Sequence, residues 1–221
     1  MSDIKVPVRV LELLCSRVCH DVVSPVAAIS NGVELLTEMG ADGLQDSVGL
    51  LTHAARQASV RLQMFRLSYG AGGSEALITG KMIYEAFNNY IESDKVKLEW
   101  DLMNATPDED LNPGFFKVLV NAMLFARETL IRGGVVRVTK DGHKMFVEAV
   151  ADNVTVREGM AEALRGELAV NDLTPKTIHP YVTYMFAKHF DFPLECEVGE
   201  NTLKITISYT PVIKEHVEMA V

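Results

Sequence analysis

Cysteine, basic charge and long apolar runs are all scarce in this chain, and each shortage excludes something. Cysteine occurs only at positions 15, 19 and 196 of 221 residues. So sparse and odd a set argues against a disulfide-stapled secreted scaffold. Cys15 and Cys19 lie four apart beside His20, but no second Cys-x-x-Cys or His-x-x-x-His motif completes a four-ligand set, so no metal site is expected. Basic residues are outnumbered, with 21 Lys and Arg against 30 Asp and Glu and a formal charge of −9. Nucleic acid is therefore not expected as a partner, since phosphate binding wants a basic face. No uninterrupted apolar run reaches the roughly 18–20 residues of a membrane span. The opening MSDIKVPVRV also lacks the charged-then-apolar layout of a signal peptide. A cytoplasmic protein without membrane attachment is the expectation.

What remains is the composition of a folded protein. Hydrophobic residues make up 48% and charged residues 23%, which fits a packed core and not disorder. The length suits one large domain or two modest ones.

The richest stretch is 20–36, HDVVSPVAAISNGVELL. Leu11, Leu14, Val18, Val22, Val26, Ile29, Val33 and Leu36 recur every three or four residues, the mark of one buried helical face. His20 is two residues from Val18 and from Val22, so it turns about 200° away from each. A histidine on a rigid helix but facing solvent is open to nucleophilic chemistry. Ser24, Ala27, Ala28 and Asn31 follow on its face, and their small size suits the close approach of another protein. Val23 misses the stripe, so it is either a partner contact or a flank of the core; Arg17 is a further candidate for docking. Pro25 withdraws the amide that would bond the Asp21 carbonyl, so the helix is expected to kink or loosen there.

Helical patterning continues to Tyr69, interrupted at Gly40-Ala-Asp-Gly43. Val48, Leu51, Ala55, Ala58, Leu62, Phe65 and Tyr69 alternate spacings of three and four, a heptad seam in which Leu62 and Phe65 are expected to be buried. Two such helices make an antiparallel hairpin, and pairing two hairpins into a four-helix bundle closes both stripes. A homodimer is the expectation. After the connector at 70–76, GAGGSEA, the pattern becomes mixed. Helices are expected near 81–90, 114–131, 157–166 and 178–189. Strands are expected near 96–102, 135–140, 145–151, 194–198 and 203–209. This is an α+β sandwich at 77–221 behind a helical domain at 1–72.

His20-Asp21 followed by Ser24-Pro25 resembles the H-box of two-component sensor kinases. The longer string, with Ala28-Ile29, Asn31-Gly32 and Glu34-Leu35-Leu36, is more similar to the ChpT-type histidine phosphotransferases of alphaproteobacteria. The resemblance implies His20 as phosphoacceptor, supported by Asp21, Ser24 and Pro25. It implies receiver domains of a hybrid histidine kinase and of response regulators as partners. The order of the halves also resembles a sensor kinase, with Asn121 where the ATPase domain carries its N-box asparagine. The other ATP motifs fail: after 143–152 the chain reads Asp152-Asn153-Val154-Thr155-Val156 where Asp-x-Gly-x-Gly would stand. No glycine-rich phosphate loop follows, so Asn121 is read as a helix residue satisfied within the fold. No cofactor is expected on this chain, and the magnesium of the reaction is expected from the receiver. The alternatives are an ATP-dependent sensor histidine kinase fragment and a non-catalytic interaction module that would tolerate loss of His20.

Overall fold

The computed structural model describes residues 5–39, 44–71, 78–92, 94–107, 111 and 114–211. Two long helices come first, α1 (Val8–Met39) and α2 (Leu44–Ser68), and they pack along each other as a hairpin. The break at 40–43 and residues 72–76 of the connector lie outside the described residues. At Gly32 a Cβ would stand 2.9 Å from the Leu51 side chain, so glycine lets the two helices close there. α1 runs on through Pro25, which is buried.

The expected apolar stripe is only partly covered within one chain. Leu14, Val18, Val22, Ile29 and Leu36 are half-buried, while Leu11, Val26 and Val33 are exposed. On α2, Ala58 and Phe65 are buried, but Leu62 is 52% exposed and Val48 is exposed as well. The expectation for Phe65 holds. The burial expected for Leu62 is absent here, because α1 covers only one side of α2.

Beyond the hairpin come α3 (Gly80–Ile91), β1 (Val96–Trp100), α4 (Phe115–Thr129), β2 (Gly134–Asp141), β3 (Lys144–Val150), α5 (Met160–Arg165), α6 (Ile178–His189), β4 (Leu194–Val198) and β5 (Thr202–Ser208). The five strands lie in the order β1-β2-β3-β5-β4. Only β1 and β2 run parallel; the other neighbours are antiparallel hairpins or crossovers. Period-two alternation buries one face of the sheet, with Val138 paired to Val147 and Val147 to Ile205 across three strands. α4 lies over that face, and α3, α5 and α6 complete the helical layer. Gly133 and Gly134 both have positive φ and carry the chain from α4 into β2, where a Cβ on Gly133 would meet the Lys95 carbonyl oxygen at 2.5 Å.

α4 is buried almost throughout because it is enclosed on two sides, by the sheet and by the hairpin with α6. A second, smaller core joins hairpin to sandwich: Val10 of α1 packs with Leu173, Ile178 and Val182, flanked by Leu13, Leu14 and Tyr69. That joint seats the N-terminal part of α1 on the sandwich.

Candidate functional site

His20 stands in the middle of α1 with its side chain 88% exposed. Its Nδ1 lies 3.2 Å from Asp21 Oδ1. A carboxylate only accepts, so Nδ1 carries the proton and donates, which leaves Nε2 with its lone pair at the open edge of the ring. Adjacent helix residues point about 100° apart, yet the two side chains bend together. Ser24, Ala27 and Asn31 are exposed on the same side, Val23 is 62% exposed, and Ala28 is half-buried.

Arg61 of α2 was not foreseen from the sequence. Its guanidinium donates to the backbone carbonyl of Asp21 at 2.8 Å. This is the carbonyl that Pro25 leaves without an amide, and a cationic donor from the neighbouring helix fills the vacancy. A proline inside a helix was itself the signal that some donor must come from elsewhere.

Arg17 departs from its expected role. Its side chain is only 18% exposed and turns inward to form an ion pair with Glu128 of α4, and it also reaches the Pro175 carbonyl at 3.5 Å. It is therefore engaged within the protein and is not free on the docking face. Glu128 also accepts from Nδ1 of His179 on α6 at 2.7 Å. Burial alone would raise the Glu128 pKa. The charge and hydrogen bond of His179, with Arg17 and Arg127, outweigh it and hold the carboxyl below its ordinary value.

A cleft of about 710 Å³ opens beside these residues. Arg17, His20 and Asp21 form one wall, and Lys95, Arg157 and Lys176 belong to the sandwich side. Arg127, also in the cleft, pairs with Asp94 at 2.6 Å. In a chain of net charge −9, this cleft gathers more cations than carboxylates, which suits a phosphoryl group.

Asn121 is buried and faces the end of α2. Its Nδ2 donates to the Ser68 carbonyl at 2.9 Å and to the Lys117 carbonyl at 2.8 Å. One turn earlier, Lys117 donates to the Gly70 carbonyl at 2.7 Å and lies over the Phe186 ring; burial lowers its pKa. Among the described residues no group of three or more His, Cys, Asp or Glu is placed to hold a metal ion. Cys15 and Cys19 are exposed, and the half-buried Cys196 has its thiol pushed up to about 11 by burial.

Residues 81–202 match the family model described as histidine phosphotransferase C-terminal domain. The chain is 32% identical over 181 residues to the protein phosphotransferase ChpT of Brucella abortus (strain 2308), an alignment spanning 80% of this chain and 84% of that one. A solved structure of a bacterial phosphotransferase superposes with a TM-score of 0.75 at 27% identity, covering 93% of this chain and 98% of that one.

Proposed function

The chain belongs to the ChpT-type histidine phosphotransferases, and on that footing we propose that His20 relays a phosphoryl group between receiver-domain aspartates in a two-component phosphorelay. The observation that carries this reading is the exposed His20 ring with Nδ1 held by Asp21 and Nε2 free. Nε2 attacks the phosphorus of an aspartyl phosphate. The N–P bond forms as the P–O bond to the aspartate breaks, and the carboxylate departs as its own anion. The reverse step delivers the phosphoryl group to a second receiver. Asp21 keeps the proton on Nδ1 and steadies the imidazolium-like charge that develops during attack. Placement in line with the scissile bond supplies most of the rate.

The magnesium of the reaction is taken to come with the receiver, and no step here runs through it. Val23, Ser24, Ala27, Ala28 and Asn31 form the docking face on α1. The exposed apolar residues Leu11, Val26, Val33, Val48 and Leu62 support pairing of two hairpins as a four-helix homodimer. A stretch of α1 reaches a mean hydropathy of 1.2, enough on length and composition to cross a membrane. Arg9, Arg17 and the Asp21 carbonyl nevertheless tie the helix to Leu173, Glu128 and Arg61, which supports a cytoplasmic protein.

The test is label transfer from a phosphorylated receiver. Replacing His20 with Ala should abolish acid-labile, alkali-stable label on this chain. His53, His143, His189 and His216 variants should still accept it. A His20→Ala chain that becomes labelled at the wild-type rate would overturn the assignment.

A further inference from the structure

Three elements meet at the Glu128 carboxylate of α4, which holds Arg17, the residue one helical turn before His20 on α1. Oε1 accepts from Arg17 on α1 and from His179 on α6. The His179 ring stands edge-on to Tyr69, just past the end of α2, with centroids 6.0 Å apart and planes at 88°. The Arg17, Glu128 and His179 side chains are 18%, 19% and 1% exposed. Such a set is a costly way to fill space, because removing charges from water consumes most of what their attraction returns, and apolar residues of the same volume pack as well. What the charged set adds is direction. Its donors accept one arrangement of α1, α4 and α6, whereas an apolar contact tolerates sliding.

Resting on the reading of His20 as the phosphoacceptor, we propose that Glu128 is a positioning residue. Acting through Arg17, it sets the rotation and height of the His20 turn against the sandwich, and His179 orients the carboxylate. Arg17 precedes His20 by three residues, so rotation of α1 at Arg17 swings the imidazole directly. In-line transfer is sensitive to such motion: displacement by about 1 Å costs on the order of a hundredfold in rate. The second core seats the N-terminal part of α1 through apolar contacts, whereas the Arg17–Glu128 pair grips the turn next to His20 itself.

The experiment uses the whole chain with two phosphodonors. A phosphorylated receiver must dock and align; phosphoramidate labels an exposed imidazole without docking. Glu128→Gln keeps the shape of the side chain and removes its charge. The saturating rate of transfer from the receiver should fall by about tenfold or more. The receiver concentration at half-maximal rate should stay within about twofold, and phosphoramidate labelling of His20 should be unchanged. Glu128→Asp should recover part of the rate. His179→Phe keeps the ring against Tyr69 and withdraws only the Nδ1 donor, so it should shift the rate in the same direction even if Glu128→Gln folds poorly. An unchanged saturating rate in both variants, or an equal fall with both donors, would overturn the proposal. Wild-type protein that takes label from phosphoramidate but never from a receiver would instead defeat the relay reading itself.

Discussion

Pro25 leaves one carbonyl without a partner in the turn that carries His20, and Arg61 restores that partner from the neighbouring helix. The bond is charge-assisted and partly buried, a class in which loss of the donor costs about 1–3 kcal/mol. Arg61→Met should therefore destabilise the chain by about that amount in urea or thermal unfolding. The pairing can be isolated by a double-mutant cycle. Pro25→Ala returns an amide to the Asp21 carbonyl, so Arg61→Met should cost at least about 0.5 kcal/mol less in the Pro25→Ala background. Equal costs in both backgrounds would show that Arg61 acts elsewhere. His20, Asp21, Ser24 and Pro25 were legible because their offsets lie within a single helix, where spacing fixes direction. Arg17 was not. A guanidinium on a helix reads the same in sequence whether it faces a partner or a carboxylate 111 residues away. Glu128 and His179 had no local signal for the same reason: their partners come from other elements.

Among the elements, those with an internal period were readable. The hairpin helices, the 178–189 helix and the 194–198 strand fall where spacing puts them. The parallel pairing of β1 with β2 is a property of topology, and no period encodes it. A period also says that a residue is to be covered without saying by what. Leu62 belongs to the heptad seam, yet it is 52% exposed within one chain, and a second hairpin is the cover that the seam implies. This yields a sharp expectation for Leu62→Asp. The exposed side chain should leave the single hairpin folded, while a charge at a dimer seam should weaken association by at least about tenfold, or about 1.4 kcal/mol. Light scattering should give twice 24.4 kDa for the wild type and 24.4 kDa for the variant at the same micromolar concentration. Wild-type protein that scatters as a monomer there would remove the bundle from consideration.

For the whole molecule, the question is what the α+β sandwich does without the motifs for ATP. The sequence shows Asn121 and, after β3, the missing Asp-x-Gly-x-Gly. It does not show what Asn121 touches. The structure turns that face of α4 against the hairpin: Asn121 bonds Ser68, Lys117 bonds Gly70, and Glu128 holds Arg17. These polar groups hold the two halves of the molecule together, and a nucleotide reaching Asn121 would have to break bonds that keep α2 in place. A nucleotide also needs backbone amides and cations around its phosphates to replace lost water, and the stretch 152–156 supplies no glycine for them. Calorimetry with ATP and magnesium should accordingly show no saturable heat up to about 1 mM, a limit near −4 kcal/mol. Asn121→Ala should register in unfolding instead. It leaves the buried Ser68 carbonyl without its amide donor and should cost about 1–3 kcal/mol. A micromolar dissociation constant for ATP, or label appearing on His20 from ATP alone, would make this chain a kinase and assign Asn121 to the nucleotide. The opposite pair of results, a silent titration and a destabilised Asn121→Ala chain, would make α4 the joint that presents His20 to its partners.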